Sequence, residues 1–486
     1  MTKPSSLALA LFATFVPVAG ALAAPATPEE ADRLKAVFER YLGHPAPGAP
    51  SSVTVTPEGS AYRASFDLQA MARPLENLGV SFDPATETLL LTPNDDGTWK
   101  VSSDALPPMT IHVKDQTNVV RWSSYALQAT FDPKLGAFTT ATWRQDGVTS
   151  DQDAPTVSQH QRFGHLASDL KGAPAEADTA SIDMHSTAGD VSNEMTIRQA
   201  APKASVAVTP TPPPVAFSYT MPAAALDLSA TKLRTKHLLD LWAFLVAHPG
   251  RDALAAAQDD LRSQLRAALP LLAGLKESGS ADDFALTTQL GAFSAHKMAG
   301  SLALDGLAGA GSMAFTLSLD GLKVPSQDLP VWTVGFLPTA FDLKPTLTGF
   351  HFDEMMREAV NDFDLKTSEP FTPEQDQTLG HIIWPGDGKL TLAPSRITTG
   401  LLDIKLEGEG TLGSEPTGKL TVSAAGLDKA IAALQQATAS DPSAQQVLAQ
   451  FILAKNLAKP GPDGSSVWEL EAGAAGAVTV NGTPLQ

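Results

Sequence analysis

The chain has 486 residues, 43 % of them hydrophobic, with 53 acidic against 34 basic side chains and a net charge of −19. That balance disfavours nucleic acid and anionic membrane surfaces, both of which select Lys/Arg patches. With no cysteine anywhere, disulfides, thiolate metal sites, iron–sulfur clusters and a cysteine nucleophile are excluded, and the chain must be held by its core.

In chain order, the first element is a targeting one. Lys3 gives a short positive start, Leu7 to Val18 is almost wholly apolar, and Ala21-Leu22-Ala23 is a small-x-small cleavage signal. The run is shorter than the ~20 residues of a membrane span, and Pro17 interrupts it. This reads as a secretory signal peptide cut after Ala23, and with no cysteine at the cut there is no lipid anchor. The expectation is a periplasmic protein, or a secreted one. No later segment is long and apolar enough for a transmembrane helix, and Tyr and Trp are too scarce for the aromatic girdles of an outer-membrane barrel.

A capping box, Thr27-Pro28-Glu29-Glu30, opens a helix that Gly43 closes. Residues 53–145 read as an antiparallel meander, with turns such as Pro57-Glu58-Gly59 and Asn94-Asp95-Asp96-Gly97 between alternating segments. Residues 146–220 have a fainter pattern and end in the Pro-rich segment 202–214. Leu233 to Lys276 reads as a helix hairpin broken at Pro249-Gly250, with Leu238, Leu241, Trp242 and Leu245 on one face. Strands resume from about Ala285. LALDGL (302–307) and LSLDGL (317–322) repeat a strand end with an Asp-Gly turn.

Phe352–Phe363 has helical spacing, and Thr372-Pro373-Glu374-Gln375 is a second capping box. Ile397 to Leu412 reads as one long strand. Leu402, Ile404, Leu406, Gly408, Gly410 and Leu412 share one parity, and Asp403, Lys405, Glu407 and Glu409 share the other. Glycines on the covered face point to a bend or to close approach of another element. Helices over 427–437 and 444–457 and a final hairpin at Val480-Asn481-Gly482 complete the chain. The expected domains are a signal peptide (1–23), a helix plus β-meander (24–200), a Pro-rich linker (201–220), and a helix hairpin plus antiparallel sheet (221–486).

Motifs that carry chemistry are weak. Ser294 and Lys297 match S-x-x-K, but in a strand they face opposite sides, and Lys366-Thr367-Ser368 is not the Lys-Thr-Gly that such sites add. Gly309-Ala310-Gly311 resembles a dinucleotide loop but precedes a strand rather than a helix. His160 and His165 fit no metal spacing and read as surface-loop residues. Asp151-Gln152-Asp153 and Asn94–Gly97 lack the downstream Glu of a calcium loop and read as turns. Glu407 and Glu409 read as a solvated strand face. No catalytic, cofactor-binding or metal residues are assigned, and no cofactor is expected.

The stretch LLDIKLEGEGTLGSEPTGKLTVSAAGLDKAIAAL, the ending WELEAGAAGAVTVNGTPL and LLDLWAFLVAHP resemble uncharacterised envelope proteins of Gram-negative bacteria. These are the YdgA-like family and an alphaproteobacterial family of unknown function, and the likeness spans about residues 230–486. The resemblance implies a long periplasmic β-sheet protein with no assigned activity and no catalytic residues.

The fold class expected is α+β: an extended, curved, mainly antiparallel sheet with helices packed on one face. The expected function is non-enzymatic, an envelope scaffold or a sheet that handles lipid or another apolar ligand, partnered by lipid or by an envelope protein. The alternatives are an envelope hydrolase built around His296, His351 and His381, and a module that binds partners by strand addition through its Pro-rich segment.

Overall fold

The computed structural model describes residues 25–45, 50–73, 76, 79–176, 178–198, 213–327, 329–386, 388–413, 416–461, 463–473 and 477–484. The signal peptide and most of the Pro-rich linker expected from the sequence lie outside the described residues. The fold is α+β, with mainly antiparallel strands and helices laid against them. The chain divides into two compact units, one of Met1–Ala273 with Met356–Asp376, the other of Gly274–Met355 with Gln377–Gln486.

Unit 1 opens with helix α1 (Pro28–Leu42), capped by Thr27, whose hydroxyl accepts from the Glu30 amide at 3.2 Å. Its strands are β1 (Val53–Glu58), β2 (Ala61–Asp67), β3 (Val80–Phe82), β4 (Thr86–Pro93), β5 (Trp99–Ser103), β6 (Met109–Val113), β7 (Gln116–Arg121) and β8 (Ser124–Asp132), with the short helix α2 (Leu68–Ala72) after β2. Much longer strands follow: β9 (Ala137–Asp153), β10 (Val157–Pro174), β11 (Ala180–Ile197) and β12 (Val215–Leu233). Among the described residues the pairings are antiparallel. The order runs β1-β2-β4-β5-β8-β9-β10-β11-β12, and β7, leading to β6 and β3, pairs with β9 beyond the end of β8. Alternation places Tyr62, Ala64, Phe66, Leu89, Leu91, Trp99, Val101, Ala129 and Phe131 on one face, where Ala31, Leu34 and Phe38 of α1 cover them.

The helices expected from Leu233 begin at Thr235, because β12 runs on through Leu233. They are α3 (Thr235–Ala247), α4 (Arg251–Ala256) and α5 (Gln258–Ala268). They enclose a second core with the returning segment Met356–Asp376, in which Leu261, Leu269, Val360 and Phe363 are buried. Three arginines fix that segment. Arg266 donates to Asn361 Oδ1 at 2.9 and 3.2 Å, Arg262 lies over the Phe363 ring at 5.1 Å, and Arg251 donates to the Leu365 and Thr367 carbonyls.

Residues 146–220 carry the longest strands of the chain, although their hydrophobic pattern is faint. The reason is a shared break. Gly147 (φ 56°), Gly164, Asp190 (φ 52°) and Pro222 stand side by side across β9–β12, and the ladders skip them without losing register. A residue out of β conformation makes its neighbours repeat one side, so the alternation changes parity. In β11 the apolar residues are Ile182 and Met184 before the break, then Val191, Met195 and Ile197 after it; in β10, Leu166 and Leu170 on one side, Phe163 and Val157 on the other. Burial switches in step: Ala141 and Gln145 are buried before Gly147 and Val148 after it. The apolar side is thus kept while the period is broken. Asp151-Gln152-Asp153 is the end of β9, not a turn, with Asp151 paired to both Arg121 and His160.

Unit 2 comprises β13 (Gly274–Thr288), β14 (Gly291–Asp305), β15 (Gly311–Asp320), β16 (Pro338–Leu343), β17 (Pro345–Phe350), β18 (Gly388–Thr399), β19 (Asp403–Leu412), β20 (Gly418–Ala425), β21 (Lys459–Pro460), β22 (Ser466–Ala472), β23 (Val478–Val480) and β24 (Thr483–Pro484). Strands therefore resume at Gly274, earlier than expected, because the Ser- and Gly-rich start of β13 has little hydrophobic alternation. The order is β13-β14-β15, then β16 and β17 end to end, then β18-β19-β20-β22, then β21 and β23 end to end, with β24 outside β23. Gly306 (φ 68°) and Gly321 (φ 66°) turn the chain after each LxLD repeat. Helix α6 (Phe352–Asp362) and helix α7 (Pro373–Ile383) lie across the unit boundary in sequence. Helices α8 (Leu427–Ala437) and α9 (Ser443–Leu457) belong to unit 2.

The segment Ile397–Leu412 is a hairpin rather than one strand. Gly400–Leu402 form a turn, in which the Thr399 hydroxyl accepts from the Leu402 amide at 2.8 Å. Ile397 and Ile404 then pair across it on the same face. The glycine expectation holds in its second form. A Cβ on Gly408 would stand 2.5 Å from the Lys419 carbonyl oxygen and 3.0 Å from Leu420 Cα, so the close neighbour is the backbone of β20.

Candidate functional site

The register of unit 2 sorts its side chains into two unlike faces, since cross-strand partners point to the same side. One transverse row runs Leu304, Met313, Leu347, Leu390, Gly410, Gly418, Ala472, Val478. The next runs Pro345, Leu392, Gly408, Leu420, Leu470, Val480. A further one runs Phe341, Ile397, Ile404, Ala424. Among the described residues these rows hold no charged side chain.

The opposite face carries the charged side chains, among small residues and Val467. Thr391, Glu409, Lys419, Glu471 and Thr479 form one of its rows, and Asp342, Arg396, Lys405 and Ser423 another. Arg396 grips Asp403 at 2.5 and 2.8 Å, and Lys419 reaches Glu471 at 3.4 Å. Two shallow grooves lie on this polar side. One, of about 600 Å³, is lined by Lys389, Glu409, Lys419 and Glu471; the other, of about 400 Å³, by Lys297, Asp320, Asp342 and Arg396. Both mix opposite charges.

Helices cover only part of the apolar face. Leu427 and Ala430 of α8, with Phe336 and Phe451, pack on Leu402, Ile404 and Trp468, and the Trp468 indole donates to the Ala454 carbonyl at 2.7 Å. Phe350 closes over Gly311, and Trp384 lies 5.8 Å from the Phe350 ring. The rest stays open: Phe315 is 42 % exposed, Leu390 45 %, Leu412 40 % and Met313 and Val478 37 % each. Large apolar side chains left this open along one sheet face make it the candidate binding surface.

Residues with catalytic potential do not converge on this face. Ser294 sits in β14 with its amide on the Lys323 carbonyl, and Lys297 is on the same strand at the edge of a polar groove. Gly309 and Ala310 belong to the turn between β14 and β15, and Gly311 opens β15. His160 and His165 lie on β10, not in a loop; His160 meets Asp151 at 2.5 Å, and the His165 ring lies over Gly189. His296 is held by Asp283 at 2.6 Å, and His351 stands 3.5 Å from Glu354. His381 is exposed on α7, and the His351 amide bonds Ile383 two residues on. Glu407 and Glu409 are exposed on β19.

Sequence reasoning passed over Glu87. It lies on the core face of β4 opposite Phe66, only 7 % exposed. Burial pushes its carboxyl up to about 7 and, with the Glu87 charge adding to it, pushes the Tyr125 phenol well above its usual range. A Thr-Glu-Thr entry to an alternating strand was the only sign, since Glu87 takes the parity of Leu89 and Leu91.

A family model for uncharacterised proteins conserved in bacteria, DUF2125, matches residues 239–485, more than half of the chain. The chain is a DUF2125 protein. The DUF2125 region takes in α4 to α9 and β13 to β24, and with them the whole apolar face. No curated protein and no solved structure matches the chain. Among the described residues no helix is long and apolar enough to cross a membrane.

Proposed function

We propose that this DUF2125 protein is a non-enzymatic lipid-handling protein of the bacterial envelope, exported on its N-terminal signal, and that the apolar face of unit 2 takes up acyl chains. The observation that carries the reading is the pairing register itself. From β14 to β23 one face is predominantly apolar, and its open rows expose large side chains that a folded soluble surface ordinarily buries. The resemblance of residues 230–486 to YdgA-like envelope proteins supports the same compartment. Half-covering a chain of about sixteen carbons at ~0.8 kcal/mol per methylene gives about 6 kcal/mol, a Kd on the order of tens of micromolar.

The test is displacement of a fluorescent fatty acid from purified mature protein, with native mass spectrometry for co-purified lipid. The probe is expected to bind in the tens-of-micromolar range, and Phe315→Asp with Leu390→Asp to weaken it at least tenfold without changing the melting temperature by more than a few degrees. A protein that binds no probe and carries no lipid would refute the reading.

A further inference from the structure

The helical layer over the sheet has an outer surface of its own. A 3-10 helix, Val331–Phe336, and α9 pack inward through Trp332, Phe336 and Phe451, whose rings meet edge to face with centroids 6.1 and 5.5 Å apart. The side chains they turn outward are Val331, 90 % exposed, Leu453 at 61 %, Val334 at 45 % and Ile452 at 40 %.

Charge is sparse in this layer, confined to Asp428 and the exposed Lys429 at the start of α8 and to Lys455 near the end of α9, apart from Asp441 between them. Ala430 to Ala454 contains one ionisable residue, Asp441, and Leu329 to Phe341 contains none, in a chain whose net charge is −19. Asp441 is itself engaged, by the Ser443 amide and hydroxyl at 2.9 and 2.7 Å and by the Trp332 indole at 3.0 Å. The flanking Lys455 is held by Asp428. A surface shaped only for solubility would carry charges like the rest of the chain.

We propose that this layer docks the protein on an uncharged, zwitterionic lipid bilayer. The proposal rests on the lipid reading of the sheet. An anionic bilayer would repel a chain of −19 and would need basic residues to overcome that, whereas this patch offers aliphatic side chains and neutral Gln and Asn. The patch also continues inward: Phe336 packs on Ile404 and Trp468 of the apolar face. A bilayer engaged outside would thus meet the layer that borders the acyl-chain surface.

The experiment is flotation of the full mature protein with vesicles of pure phosphatidylcholine, and with vesicles containing phosphatidylglycerol. Co-flotation with phosphatidylcholine that is insensitive to salt is expected, weakened by phosphatidylglycerol at low salt. Val331→Asp with Leu453→Asp should lower the bound fraction at least tenfold, and Val331→Gln with Leu453→Gln should do so in part. Both variants should bind the soluble fatty-acid probe as the wild type does, which separates this site from the sheet. Wild-type protein that stays in solution, variants that float equally well, or a salt-sensitive preference for phosphatidylglycerol would overturn the proposal. So would a concentration-dependent dimer abolished by the same substitutions, which would assign the surface to a second copy of the chain.

Discussion

At the scale of single residues, Glu87 and Asp190 make sharp predictions. Glu87 has a folded-state carboxyl raised to about 7 by burial, against an ordinary value of 4.5. Its neutral form is the one the core accepts. The stability it permits is therefore full below about pH 4.5 and is lost as pH rises through about 7, with a limit of roughly 3 kcal/mol. Urea unfolding at pH 5 and pH 8 should show that loss, and Glu87→Gln should abolish it; a wild type as stable at pH 8 as the variant would contradict the assignment. Asp190 holds φ at 52° within β11. Asp190→Gly should be neutral or mildly stabilising, and Asp190→Val should cost about 1–3 kcal/mol in chemical denaturation. Some single residues were legible beforehand. Asn481-Gly482, with φ of 52° and 81°, makes the hairpin turn the dipeptide announces. What the dipeptide does not announce is that Asn481 Nδ2 donates to the Leu457 carbonyl at 2.6 Å and Asn481 Oδ1 accepts from the Glu469 backbone amide at 2.9 Å.

At the scale of elements, reading succeeded where one face is covered and failed where the period itself is broken. The meander of 53–145 alternates because a core selects one side, and in 402–412 the helical layer covers Leu402 and Ile404. The strands β9–β12 alternate too, but each changes parity at Gly147, Gly164, Asp190 or Pro222, so a fixed two-residue period averages out across them. The same happens at Asp283 (φ 49°) of β13: its ladder partner His296 is skipped, and apolar parity passes from Leu275 to Phe284 and Leu286. An Asp inside a polar stretch, a residue type that tolerates the left-handed conformation, is the signal that could have revealed it. Gly408 gives the element-scale prediction. Because its Cβ would strike the β20 backbone, Gly408→Val should destabilise unit 2 by roughly 1–3 kcal/mol, measured by thermal unfolding. An unchanged midpoint would mean that β19 and β20 are not so close.

At the scale of the molecule, the units do not follow a simple cut in sequence, because Met356–Asp376 returns to unit 1. Helical spacing in Phe352–Phe363 was plain, but nothing local says which core it joins; that is fixed by partners about a hundred residues away, among them Arg262, Arg266 and Gln258. The candidate site was half legible. The aliphatic parity of 402–412 was visible in one strand, whereas its extension into a face from β14 to β23 needed the register of the whole sheet. Which part of that face stays uncovered needed the positions of α8 and α9. Irradiation of the protein with a diazirine-bearing fatty acid, followed by mass-spectrometric mapping of labelled peptides, tests the proposed acyl-chain surface most directly. Labels confined to the strands that carry Met313, Phe315, Leu347 and Leu390, on those side chains, are the predicted result. Labels on Glu409, Lys419 and Glu471 of the charged face, or spread without preference over the chain, would contradict it.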